Sequence, residues 1–170
     1  MNEINTNHRI YKENKIHPTA IIYDNVEMGK ANVVGAYSVI GSNGEVRDKD
    51  QAKFAGKVYV GDNNVISEHV TIQRPYYGGK STCIGSNNII MAHAHIGHDV
   101  IIRNNCEICT SSVIGGHVKI DNRTKIKLNC VIRNRVEIGE NVIVGLGSNV
   151  TKNLDSNKTY FGNPAKERWK

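Results

Sequence analysis

A chain of 170 residues is the size of one domain. Hydrophobic residues make up 39% of it but aromatic residues only 6%, so the core must be built from small and branched aliphatic side chains. The formal charge of +6 suits an anionic ligand or an acidic carrier protein, whereas basic residues scattered without a dense run or aromatic interleaving exclude a nucleic-acid binder.

No apolar run approaches the ~20 residues of a membrane span. The cysteines Cys83, Cys106, Cys109 and Cys130 have no signal peptide ahead of them, so a cytoplasmic protein with reduced thiols is expected.

Residues 1–15 are polar and carry no period, and are expected to be disordered or to cap one end of the fold. From residue 16 an aliphatic side chain recurs at every sixth position, first at Ile16, Ile22, Met28, Val34, Ile40 and Val46. Residues 47–59 shift that register by two, which predicts a loop leaving the fold. The rhythm resumes at Val60, Ile66 and Ile72. Residues 73–83 keep the count but place Gly78 at the aliphatic position beside Pro75 and Gly79, a second predicted loop. An unbroken run follows from Ile84 through Ile90, Ile96, Ile102, Ile108, Ile114, Ile120, Ile126, Ile132, Ile138 and Val144 to Val150. The segment 151–170 leaves the repeat and is expected to cap the other end.

A period of six matches neither a helix nor a long strand. It matches a short strand plus a corner, and three such units make one triangular coil of eighteen residues. The expected fold is therefore all-β, a parallel β-helix over 16–150 with two external loops and coils stacked ~4.8 Å apart. Small residues four places after each aliphatic, such as Ala94, Cys106, Ser112 and Cys130, should fill the corners inside. Glycines directly follow the aliphatic, as at Gly97 and Gly115, and Asn and Gly at corners are expected to tolerate the left-handed backbone that such turns need.

The sequence MAHAHIGHDV holds His93, His95 and His98, and His117 lies one coil later. His95 falls between inward Ala94 and Ile96 and should point out from a strand. His98 falls at a corner, and eighteen residues on the equivalent place is Gly116. A histidine over a glycine leaves room for a reacting group and exposes a backbone N–H. Neutral imidazole is the usual general base near neutral pH, and acyl transfer also needs a donor for the oxyanion. His98 and the Gly116 amide are placed for those two roles, and Asp99 is a candidate to orient His98. His93 reads as a surface histidine.

The stretches IHPTAII at 16–22, VYVGDNNVISEHVTIQR at 58–74 and GSNNIIMAHAHIGHDV at 85–100 resemble the UDP-N-acetylglucosamine acyltransferases of lipid A biosynthesis. The resemblance implies a left-handed β-helix of hexapeptide repeats. It implies His98 as general base, Gly116 as oxyanion donor, and substrate contacts at His95, His117, Gln73 and Arg74. Two positions depart from the family: Gln73 replaces the histidine of its IHRG segment, and Arg133-Asn134-Arg135 replaces its His-Gln-Phe stretch. The ending VTKNLDSNKTYFGNPAK resembles small hexapeptide acetyltransferases acting on sugars, which implies coenzyme A contacts at Gly162, Asn163, Pro164, Ala165 and Lys166.

The outward strand positions form three rows, and only that of His95, Val113, Val131 and Asn149 lacks formal charge. An uncharged face suits a subunit contact, and the expected assembly is a homotrimer with the site between subunits. The expected activity is transfer of an acetyl or other short acyl group from acyl-CoA to a sugar or nucleotide-sugar hydroxyl or amine, with no metal. The alternatives are an acyl-carrier-protein donor, a zinc-dependent γ-type carbonic anhydrase with His95, His98 and His117 as ligands, and a non-catalytic scaffold.

Overall fold

The computed structural model describes residues 4–5, 12–45, 56–76 and 80–168. Those residues form three sheets of eight, six and nine strands. Sheet I runs from Ile21–Tyr23 to Asn149–Val150, sheet II from Val26–Met28 to Glu137–Ile138, and sheet III from Lys15–Ile16 to Thr159–Phe161. The chain visits them in the order I, II, III and returns to I one rung higher. Every named pairing is parallel except at the two ends, where Ile4–Asn5 lies antiparallel to Ile21–Tyr23 and Lys166–Glu167 to Thr159–Phe161. This is a left-handed parallel β-helix of hexapeptide repeats.

The sixfold rhythm is the core. Ile66, Ile72, Ile90, Ile96, Ile108, Ile114 and Ile126 are fully buried, each stacked on its counterpart in the next coil. Burying such a side chain contributes roughly 1.5–3 kcal/mol. The small corner residues Ala94, Cys106, Ser112, Thr124 and Cys130 are also inside. On the edge between sheets II and III, Asn14, Asn32, Asn64 and Asn88 form an amide ladder along the prism, with Asn32 and Asn64 bonded through their side chains at 3.0 Å. Cys106 and Cys109 are only two residues apart, but Glu107–Ile108 carries them to different edges, and both are buried free thiols.

Corner asparagines, and Gly41 with φ 93°, take left-handed backbone as expected, but Gly97 and Gly115 do not. Left-handed backbone falls two residues later, at Asn87, Asp99, His117, Arg135 and Asn141 among others, with φ from 55° to 66°. Gly97 and Gly115 are needed for close approach instead: a Cβ at Gly97 would stand 2.9 Å from the backbone N of Gly116.

Ile21 pairs with Val39 after the regular eighteen residues, but the next two coils are longer. Val39 pairs with Thr71, and Thr71 with His95, so extra chain leaves between sheets I and II in both coils. The excursions are narrower than the predicted 47–59 and 73–83, because Lys57–Val60, Thr71–Gln73 and Ser81–Ile84 are strands of the prism. Residues 46–55 and 77–79, including Gly78 and Gly79, lie outside the described residues, as do most of 1–11. Both excursions depart from the edge that carries His98.

Candidate active site

The edge between sheets I and II stacks equivalent corners. Gln73-Arg74-Pro75 lies below Gly97-His98-Asp99, followed by Gly115-Gly116-His117 and Arg133-Asn134-Arg135. The register follows from His95 pairing with both Thr71 and Val113, and Val113 with Val131. Rungs are joined by His117 N–H donating to His98 O and Arg135 N–H donating to Gly116 O, both at 2.9 Å.

His98 sits over Gly116 as the spacing predicts. A Cβ on Gly116 would come within 2.6 Å of His98 Nε2. The Gly116 N–H donates to no protein group among the described residues.

Adjacent side chains usually diverge, but here Asp99 takes φ 58°, and its carboxylate folds back to His98. Asp99 Oδ2 lies 2.8 Å from His98 Nδ1 and 4.0 Å from His117 Nε2. The Asp99 side chain is 4% exposed, against 22% for His98 and 23% for His117. A deeply buried carboxylate needs donors. Tyr76 N–H supplies one to Oδ2 at 3.2 Å, while the Asp99 N–H donates to Thr82 Oγ1 at 2.9 Å. The second excursion therefore holds the aspartate from both its ends. Asp99 Oδ1 is buried without a partner among the described residues.

The rings of His98 and His117 meet edge to face at 5.0 Å. Burial holds His117 below the ordinary imidazole pKa; Asp99 opposes the shift, while Arg135, His98 and Lys80 add to it. His95 is half-buried, with Nδ1 2.7 Å from Thr71 Oγ1. Burial lowers its pKa too, opposed by Glu45 and reinforced by His98.

The other expected residues are dispersed. Gln73 and Arg74 reach the same edge one rung below His98, but both are buried. Arg74 Nε donates to Asn43 Oδ1 at 2.8 Å, and burial draws its pKa down. Gly162, Asn163, Pro164 and Ala165 form the turn of the closing hairpin of sheet III and Lys166 begins its return strand, with Ala165 N–H bonded to Asn149 O. The turn is on a different edge, several rungs above His98. His93 is exposed and stacks on His69 with centroids 4.8 Å apart. Thr71, Tyr76 and Thr82 were not singled out by sequence reasoning, because the excursions displace them from the eighteen-residue count.

The ligating atoms of His98, Asp99 and His117 lie within 4.8 Å of one another, a set able to hold a divalent cation. It exchanges His95, expected for a zinc site, for Asp99. A groove of about 420 Å³ on sheet II, walled by Arg103, Lys119, Glu137 and Asp155, does not include the histidines.

Residues 82–116 match the family model described as bacterial transferase hexapeptide (six repeats). That match lies within the repeat, and the described coils on both sides of it share the same left-handed β-helix fold. The fold of the chain is similar to that of LpxA, a UDP-N-acetylglucosamine acyltransferase from Bacteroides fragilis, with 26% identity and a TM-score of 0.86 over 92% of this chain and 60% of that one. The UDP-N-acetylglucosamine acyltransferase of Arabidopsis is 24% identical over 92% of this chain and 62% of that one, with a TM-score of 0.81. A perosamine N-acetyltransferase variant from Caulobacter crescentus, in complex with CoA and GDP-perosamine, is 20% identical over 92% of this chain and 57% of that one, with a TM-score of 0.52. The chain thus spans about 60% of the length of the first of these. No curated protein sequence matches it.

Because burial keeps His95 and His117 neutral, the unfolded chain takes up protons more readily than the folded one. Their contribution to stability is complete above the ordinary imidazole value of about 6.5 and declines as the pH falls below it. Thermal melting should shift downward between about pH 7.5 and about pH 5.5, and His95→Gln should shrink that shift. An equal shift in the variant would remove His95 from the account.

Proposed function

We propose that this chain is an acyltransferase, moving an acetyl or other short acyl group from acyl-CoA to a hydroxyl or amine of a sugar or nucleotide sugar. The observation that carries this reading is the pairing of His98 with both Asp99 and the unbonded Gly116 amide. With Nδ1–H donating to Asp99, the lone pair of Nε2 is directed away from the carboxylate and toward the rung of Gly116.

The steps follow. His98 Nε2 takes the proton from the acceptor hydroxyl or amine, whose oxygen or nitrogen bonds to the thioester carbonyl carbon. The oxygen of the tetrahedral intermediate takes the Gly116 N–H, a donor fixed in place beforehand. The C–S bond then breaks, and the thiolate recovers the proton from His98. Asp99 stabilises the imidazolium between these events, and His117, held neutral, is available to hydrogen-bond the acceptor. Transfer is direct: Cys106, Cys109 and Cys130 are buried elsewhere in the prism, and Cys83 lies at an outward position of sheet II in line with Tyr59 and Ile101.

The closing hairpin at Gly162–Lys166 and His98 occupy different edges of one prism. A donor touching both must therefore lie between two copies of the chain. Exposed Val113 and Val131 beside His95 offer an uncharged face for that contact. This supports a homotrimer, with pantetheine lying along the boundary against Asn163, Pro164 and Lys166. The perosamine enzyme, of the same fold, holds both CoA and a nucleotide sugar. An acyl carrier protein is the alternative donor, favoured by the basic balance of +6; thioester consumption measured with each donor separates the two.

His98→Ala should lower turnover by roughly 10²–10⁴-fold, the scale of a lost general base. A fully active variant would reject the assignment. Sedimentation at micromolar concentration should show a trimer; a monomer would remove the shared site.

A further inference from the structure

On the faces of the prism several cations are matched with carboxylates: Lys57 bonds Glu27, Lys119 bonds Glu137, Arg123 bonds Glu140 and Lys127 bonds Glu107. The edge above His98 instead gathers three unmatched cations beside the candidate site. Arg133, Arg135 and Lys152 are exposed there, and none has an ion-pair partner among the described residues.

Their position is set by the coil. Asp99, His117 and Arg135 occupy the same corner place on successive rungs, with φ of 58°, 61° and 66°. The Arg135 N–H is bonded to the carbonyl of Gly116. Arg133 flanks it across Asn134, whose side chain packs over Gly115, and Lys152 stands above Asn134. Asp99, the buried carboxylate of the column, already accepts from Tyr76 and faces His98. The arginines therefore begin one rung, ~4.8 Å, above the oxyanion amide and lack a negative charge of their own.

We propose that Arg133 and Arg135, with Lys152 above them, seat an anionic group carried by the acceptor, so that the preferred acceptor is an acidic sugar or a sugar phosphate. The guanidinium fork matches a carboxylate or phosphate with paired hydrogen bonds. The donor cannot supply that charge here, because the whole pantetheine arm separates the phosphates of coenzyme A from its thioester. Cations one rung from the reacting carbonyl are too close for them. They are within reach of a charged substituent on the sugar ring whose hydroxyl or amine lies at His98. The positive charge of Lys80, which also acts on His117, adds to the field.

This deepens the acyl-transfer reading and rests on it, so the test includes a readout free of catalysis. Acceptors are compared in pairs with acetyl-CoA as donor: glucosamine against glucosamine 6-phosphate, and galactose against galacturonic acid. The wild type should favour the charged member by about tenfold or more in kcat/KM, the scale of a charge-assisted hydrogen bond. Arg133→Gln/Arg135→Gln should remove that preference while leaving the neutral member unchanged, and Arg123→Gln should behave as wild type. Which pair shows the larger preference distinguishes phosphate from carboxylate. In parallel, inorganic phosphate is titrated while the ring resonances of His117 are followed by NMR. They should move in the wild type and stay fixed in the double variant. Equal use of neutral and charged acceptors, or an equal loss on both in the variant, would overturn the proposal, as would a phosphate response indifferent to the arginines. Should no acceptor be acylated while the arginine-dependent phosphate response persists, the anion seat stands and acyl transfer falls.

Discussion

The structure depends on the hydrogen bonds that join one coil to the next. From the second excursion up to the last coil, each strand bonds to the strand eighteen residues on. Buried isoleucines stacked in columns hold that register, since a slip of one residue would turn every one of them outward. Once register is fixed, a corner residue's neighbours are those one coil before and after it. The site is a direct consequence: His98 beneath Gly116, and His117 beneath Arg135.

The second constraint is local. A non-glycine residue with left-handed backbone is uncommon and costs energy, yet this chain uses it at corner after corner. At Asp99 that conformation turns a sequence neighbour of His98 into its hydrogen-bond partner. The cost is spread over a scaffold that imposes the same corner on every coil, so the orientation of His98 requires no arrangement peculiar to the site. What is peculiar is the support from below. Thr82 and Tyr76 hold Asp99, and both flank the second excursion. The segment emerging beside the His98 corner thus also buttresses it.

Much of this was legible in the sequence because the repeat is a ruler. Ile84 to Val150 gives the coil, and the coil gives the outward direction of His95 and the stacking of His98 on Gly116. The ruler fails where chain is inserted. Thr71 lies twenty-four residues before His95 rather than eighteen, so its bond to His95 was hidden, and Thr82 was assigned to a loop. Composition also misled at the corners. Asn and Gly both suggested left-handed backbone; corner asparagines take it, whereas Gly97 and Gly115 answer close approach to the next rung. The GNPAK turn carries no information about which edge it faces, and the structure sets it on an edge away from His98. The unpaired state of Arg133 and Arg135 was invisible too, because it depends on which carboxylates other faces claim.

Stacking and the Asp99 corner together commit one ring nitrogen of His98 and leave the other open. Nitrogen-15 chemical shifts of the His98 ring at about pH 8, above the ordinary imidazole value, measure this directly. The account predicts a protonated Nδ1, bonded to Asp99, and an unprotonated Nε2. A ring protonated at Nε2 would contradict it, since His98 would then have no lone pair to offer at the rung of Gly116.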